Sequence, residues 1–198
     1  MKRLGSLSIA LAVAFLASSA QAAKYDIDKV HSSVSFKVKH LGTWFQGGFT
    51  DFSGTVDYDE KAPAKSSVEA TIQIASIDTR SSKRDDHLKS PDFFDAAKYP
   101  VMTFKSAKVT KAGKDKLAVA GVLSLHGVDK PVTLDVETSG DIDAPGGGVK
   151  AGFSATTTIK RSDFGIIWNK TLEKGGFILG DEVKISIDIE AAKAEAAK

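Results

Sequence analysis

Four histidines, two arginines placed beside aspartates and a complete lack of cysteine bound the chemistry open to this chain. Thiol nucleophiles, thiolate metal sites and disulfides are excluded. His87 stands close to Asp85 and Asp86, and with His31, His40 or His126 it could form a His/carboxylate metal site of the kind that activates water. The spacing argues against this. There is no His-x-His and no His-Glu-x-x-His. His31 precedes a predicted strand, and His40 and His126 fall in predicted turns, where an imidazole more often bonds the local backbone or a nearby Asp. No Gly-x-Ser-x-Gly nucleophile turn is present, and Gly146-Gly147-Gly148 lacks the lysine of a phosphate loop. Arg84 beside Asp85 and Arg161 near Asp163 are expected to form ion pairs that hold their segments in place. The competing use is to meet an oxyanion such as a phosphate headgroup, for which guanidinium is well shaped.

These residues have to be positioned by strands. Runs with period two occur at 34–39, 45–58, 68–74, 101–109, 117–125, 128–138, 151–159 and 183–190, with apolar residues on one face and polar residues on the other. Gly47, Gly48 and Gly54 predict bulges or a sharp bend in the second run. Alternation stops only at 79–100. There Ser82 and Asp85 have capping-box spacing, which predicts a short polar helix near 81–90 that Pro91 terminates. Phe93, Phe94 and Tyr99 follow. A polar helix and an aromatic cluster form no core alone, so this segment is read as a cap with its aromatics turned inward. Eight strands joined by short turns predict an all-β fold with an antiparallel sheet. Closure into a barrel would remove its exposed edges.

The first 22 residues are set apart from this domain. Lys2 and Arg3 precede an apolar run at 7–17, and Ala20-Gln21-Ala22 is an A-x-A site, which together predict a secretory signal peptide cleaved after Ala22. The run is too short to span a bilayer. The remaining chain reads as one barrel domain, 23–190, with an Ala-rich, frayed helical tail at 191–198. The whole chain carries a formal charge of +2, and removal of Lys2 and Arg3 brings it near zero. No basic stripe remains to favour nucleic acid.

Alternation places Phe36, Val38, Phe49, Phe52, Ile72, Ile74, Met102, Phe104, Leu123, Leu134, Phe153, Ile185 and Ile187 on the inner wall. It does not decide whether that wall surrounds a filled core or a hollow, since a barrel of about eight strands permits both. Ala70, Gly121, Ala151, Ala155 and Gly54 are small and would leave volume. Trp44 and Phe45 also belong to the rim. Arg84, His87, Phe93, Phe94, Phe164 and Trp168 are the candidate mouth. A dry tube with an aromatic mouth suits a long apolar ligand. The alternatives are a His/Asp metal-dependent enzyme at the mouth, or a stress-related interaction protein with a filled barrel.

Several blocks resemble the YceI-like family. They are Tyr25-Asp26-Ile27-Asp28, His31-Ser32-Ser33-Val34-Ser35-Phe36 and His40-Leu41-Gly42, then the segment from Arg84-Asp85-Asp86-His87-Leu88 through Asp92-Phe93-Phe94-Asp95 to Tyr99-Pro100. Further blocks are Phe104-Lys105-Ser106, Gly121 to Leu134, Arg161-Ser162-Asp163-Phe164-Gly165 and Gly180-Asp181-Glu182-Val183. The resemblance implies an extended, lipocalin-like barrel of eight antiparallel strands. It also implies export to the periplasm, a long polyisoprenoid lipid (a quinone or prenyl chain) held inside, no other cofactor, no catalytic residues, and a homodimer in some members.

Overall fold

The computed structural model describes residues 22–173 and 175–194. Most of the predicted signal peptide and residues 195–198 of the predicted tail lie outside this range. The chain forms β1 (Ala23–Ile27), β2 (Ser33–His40), β3 (Thr43–Phe49), β4 (Phe52–Tyr58), β5 (Ser67–Gln73), β6 (Ile77–Asp78), a helix α1 (Ser82–Lys89), β7 (Val101–Gly113), β8 (Lys116–Leu125), β9 (Val128–Asp143), β10 (Val149–Lys160) and β11 (Leu179–Lys193). Every pairing is antiparallel. Neighbours run β1–β4–β5–β7–β8–β9–β10–β11 and return to β1, so the sheet closes as an eight-stranded barrel.

The three further strands prolong members of that ring. β11 pairs with β1 through Ala191 and with β2 through Ile185 and Ile187, so β1 and β2 act as one interrupted strand. β3 pairs with β2 as β4 pairs with β1, and β6 pairs with β3 as β5 pairs with β4. The predicted strand 45–58 is therefore split at Thr50-Asp51. Ile74 leaves its strand and enters a 3-10 turn, Ile74–Ser76. The predicted tail is corrected as well. Residues 191–193 belong to β11, Ala191 is fully buried, and the Ala194 amide donates to Lys24. Alanine composition had suggested a helix, and ladder pairing with β1 and β10 overrides it.

Turns then sort the chain between two ends. The β2–β3 and β8–β9 turns, residues 79–100 and the described residues between β10 and β11 gather at one end. The β4–β5, β7–β8 and β9–β10 turns gather at the other. At the first end α1 has no buried residue and runs from Ser81 to a stop at Ser90. Its predicted capping box does not form. Asp85 instead accepts hydrogen bonds from the Thr79 amide (2.9 Å) and hydroxyl (2.5 Å), which ties the helix to the end of β6.

Gly47, Gly48 and Gly54 do not mark bulges. Gly47 and Gly54 lie in regular register, and register shifts fall elsewhere, between Ser106/Lys108, Lys111/Gly113, Ala151/Phe153 and Leu179/Val183. Their role is close approach. The Phe36 ring lies where a Cβ on Gly47 would sit, 2.6 Å from it, and the Phe104 ring lies equally close over Gly121. A ring resting on a neighbouring strand's glycine pins sheet register.

The corner between β1 and β2 is fastened by polar groups. Asp28 accepts from the amides of Val30 and His31, and its other oxygen lies 2.8 Å from His31 Nδ1. Lys150 on β10 bridges to Glu190 on β11 and approaches Asp28 to 3.8 Å. The hydrogen bond that the His31 ring donates to Asp28, then the Asp28 charge, raises the His31 pKa, and the same bond lowers that of Asp28.

Two outcomes are expected. Gly121→Ala forces a methyl against the Lys105 carbonyl and the Phe104 ring, and should cost about 1–3 kcal/mol, read as a lowered urea midpoint at unchanged slope. Gly146→Ala, which meets open space, should leave the midpoint in place. Secondly, the His31 contribution is fully present below the ordinary histidine value and fades as pH rises through its raised folded value. The Asp28 contribution is present above the ordinary carboxylate value and fades as pH falls through its lowered one. In an NMR titration His31 should therefore have a midpoint above the ordinary ~6.5 that drops in Asp28→Asn. A wild-type His31 titrating at the ordinary value refutes the coupling.

Candidate functional site: an apolar bore

Alternation turns one face of every strand inward, and those faces enclose a cavity of ≈ 570 Å³, within the range of ligand sites. Of the predicted wall, Phe36, Val38, Phe49, Phe52, Ile72, Met102, Phe104, Leu123, Leu134, Phe153, Ile185 and Ile187 line it. Ile74 does not. It is 1 % exposed and packed in the surrounding core, because the 3-10 turn takes it off the inner face.

Exposure shows that the wall is not packed against a plug. Phe36, Leu134, Phe153, Ile159, Ile187 and Ile189 face inward and are only partly buried. In a filled interior they would be sealed by one another. The space does not come from all the small residues expected to supply it. Ala70 and Ala155 line the cavity, whereas Gly54, Gly121 and Ala151 do not. Gly54 and Gly121 are spent on close contact with a neighbouring strand, and Ala151 is buried at 1 %.

An aromatic group narrows one end. The rings of Tyr25, Tyr58 and Phe153 meet edge to face with centroids 5.3–6.4 Å apart, and Tyr58 and Phe153 belong to the lining. Behind them the Tyr25 hydroxyl bonds Asp141, which also binds Lys193 at 2.8 Å. Burial, followed by the Asp141 carboxylate, pushes the Tyr25 pKa up to about 12.

The other end is the mouth. His87, Phe93 and Trp168 form a ring cluster with centroids 5.0–5.1 Å apart. Phe94 packs on Phe49, and the Arg84 guanidinium stacks 4.2 Å above Phe45. Arg84, His87, Phe93, Phe94 and Trp168 all line the cavity. Phe164 does not, being 1 % exposed within the barrel's core beside the mouth. Trp44 belongs to the lining as well, 45 % exposed at the rim, with the ammonium groups of Lys39 and Lys184 over its ring. Leu88 from α1 and Ile166 from the segment after β10, neither named for the mouth from sequence, complete it together with Arg161. An apolar residue alone among charges, as Leu88 is, was the available signal.

The expected arginine ion pairs are absent. Among the described residues neither Arg84 nor Arg161 has a carboxylate within 4 Å. Arg84 donates to the Thr79 hydroxyl and carbonyl, and Arg161 to the carbonyls of Gly180, Ile166 and Trp168. Successive helical residues point about 100° apart, so Asp85 cannot face Arg84.

Nor do the histidines converge. His87 pairs with Asp92 at 2.9 Å, and His126 contacts the Phe164 carbonyl. Asp28, His31 and Glu190 lie close enough together to suggest metal ligands. None of the three lines the bore, and the Lys150 ammonium already sits between the two carboxylates.

Comparison with known proteins agrees with this architecture. Residues 25–191 match the YceI-like domain. Protein YceI of Escherichia coli O157:H7 is 50% identical over 155 residues, covering 77% of this chain and 81% of that protein. The crystal structure of BcnA from Burkholderia cenocepacia aligns at a TM-score of 0.74 and 31% identity, covering 83% of this chain and 99% of BcnA. A polyisoprenoid binding domain from Saccharophagus degradans, implicated in plant cell wall breakdown, shares the fold at a TM-score of 0.63 and 17% identity. It covers 88% of this chain and 100% of that domain. The match along nearly the whole described barrel makes this chain a member of the YceI-like family.

Proposed function

We propose that this protein binds a long polyisoprenoid lipid, a quinone or prenyl chain, inside its barrel, and carries it in the periplasm after a signal peptide is removed at Ala22. The reading rests above all on the hollow, whose wall is almost entirely hydrocarbon from the Tyr58–Phe153 end to the Trp168 mouth. A branched C5 repeat needs such a lining and few polar partners. Each methylene withdrawn from water contributes about 0.8 kcal/mol, so chain length alone can supply affinity. The solved barrel named for polyisoprenoid binding has the same fold, and no helix among the described residues is long and apolar enough to cross a membrane. The protein acts as a binding module rather than a catalyst, with the lipid as its one bound group. Self-association into a homodimer belongs to the same proposal, and sedimentation velocity checks it.

The test is direct. Protein purified from its native host, extracted with organic solvent and analysed by mass spectrometry, should release an isoprenoid-type lipid in near-stoichiometric amount. Ala155→Trp puts an indole into the bore and should cut that amount at least severalfold while far-UV circular dichroism stays β-rich. Val122→Ala, outside the lining and 40 % exposed, should not change it. A lipid-free extract from wild type, or full occupancy in Ala155→Trp, overturns the reading.

A further inference from the structure

Two strands on the outside of the barrel set lysine against lysine. Lys37 on β2 and Lys184 on β11 are direct cross-strand partners. Like charges opposed in this way destabilise a sheet. Elsewhere on the wall the pairing is the favourable one: Lys105 faces Glu69 and Lys116 faces Glu137 in register, each bonded at 2.7 Å. No acid relieves Lys37 and Lys184. Across β3, β2, β11 and β10 their row reads Gln46, Lys37, Lys184 and Thr158, and the next outward row reads Gly48, Ser35, Ser186 and Thr156. The acids of β11 are directed elsewhere. Asp181 accepts from the Ser162 amide and hydroxyl, Glu182 stands opposite Lys160, Asp188 accepts from Ser154, and Glu190 pairs with Lys150. Lys39 adds a third cation, its ammonium 5.4 Å and that of Lys184 4.7 Å from the centre of the Trp44 ring. Among the described residues none of the three lysines has a carboxylate within 4 Å.

Apolar side chains stand exposed beside these cations. Leu41 is 57 % and Phe177 66 % exposed. Backbone pairing makes them neighbours of Trp44. Trp44 lies opposite Lys39, His40 opposite Leu179, the Leu41 amide donates to the Ile178 carbonyl at 2.9 Å, and Phe177 bridges to Thr171. Leu41 also holds a left-handed backbone conformation, φ 48°, which glycine or asparagine enters at lower cost. An exposed leucine kept there gains nothing from burial in this chain. Unpaired ammonium groups around protruding Trp, Leu and Phe side chains complement an anionic bilayer surface. The cations meet lipid phosphates, tryptophan settles at headgroup level, and the apolar tips enter the acyl boundary.

We propose that this face, Lys37, Lys39 and Lys184 with Trp44, Leu41 and Phe177, docks the barrel on an anionic phospholipid bilayer. The inference rests on the lipid reading above and deepens it by naming the surface from which the cargo is exchanged. Trp44 is shared between the docking face and the rim, so seating the face brings the mouth to the membrane. The opposed lysine pair then has its counter-charge in the lipid, and its cost in the free protein is offset on docking.

Flotation with vesicles tests this. Protein carrying its native lipid is mixed with vesicles of phosphatidylcholine alone, or of equal parts phosphatidylcholine and phosphatidylglycerol. The anionic vesicles should bind about tenfold or more tightly, and added salt should shrink the difference. Lys37 and Lys184 lie outside the lining. The double variant Lys37→Gln, Lys184→Gln should lose about tenfold on anionic vesicles yet retain its lipid on extraction. Its urea midpoint should be no lower than wild type, because an opposed charge pair is gone; lysines kept for structure alone would give a lower one. Phe177→Ala should bind severalfold more weakly with its salt dependence kept. Lys105→Gln, which breaks an ion pair away from this face, should bind as wild type does. Equal binding to both vesicles, or full binding by the double variant, overturns the docking face and leaves the lipid reading standing. A photocrosslinker at position 177 that captures a protein and no phospholipid also overturns it. A lipid-free extract alongside intact vesicle binding overturns the lipid reading alone.

Discussion

Hydrogen bonds between β11 and the first two strands close the sheet, and that closure fixes the width of the bore. In an open sandwich, apolar faces can slide together until they touch. Here each strand is held by ladders on both sides, and the circumference follows from the number of strands and their stagger. The interior cannot shrink without breaking backbone hydrogen bonds, each of which would leave buried polar groups unpaired. A cavity lined by hydrocarbon is thus retained although its own side chains do not fill it. The rings that could have filled it, Phe36 and Phe104, are laid against Gly47 and Gly121 on the wall.

Local interruptions shape this ring without opening it. The 3-10 turn at Lys29–His31 divides β1 from β2, and the one at Ile74–Ser76 divides β5 from β6. Each lets a strand bend while its partner runs on, so the tube is extended and curved. At its mouth the strands end unevenly, and residues 79–100 and 161–168 complete the rim with rings from His87, Phe93 and Trp168. The polar character of α1 follows from this position, since it covers an end and contributes only Arg84, His87 and Leu88 to the lining.

Much of this was legible in the sequence because period-two alternation reports directly which side chains point inward. It placed Ile185 and Ile187, or Val38 and Phe36, on the wall correctly. It failed where backbone geometry departs from a strand. Ile74 continues the written pattern but sits in a turn, and Phe164 continues the apolar trend but lies behind the rim. Glycines were misread because composition cannot separate a bulge from a site pressed by a ring across the sheet. Arginine partners were misread because proximity in sequence is not proximity in space, and Arg161 draws its acceptors from carbonyls up to 19 residues away. Hollowness itself left no local mark, since a wall residue and a core residue are written with the same letters.

Joining the two ends of the chain at one seam has a kinetic consequence. Ile27 meets Ala191 and Val34 meets Ile187, so the last ladder to form links residues separated by almost the full described length. Such contacts pay the largest loop-closure entropy and are reached late. Until they form, the molecule is a curled sheet with two bare edges and its oily face open to the surroundings. The interval before the seam zips is when the chain is most exposed to aggregation, and also when a greasy guest could be enclosed from the side instead of threaded from the end.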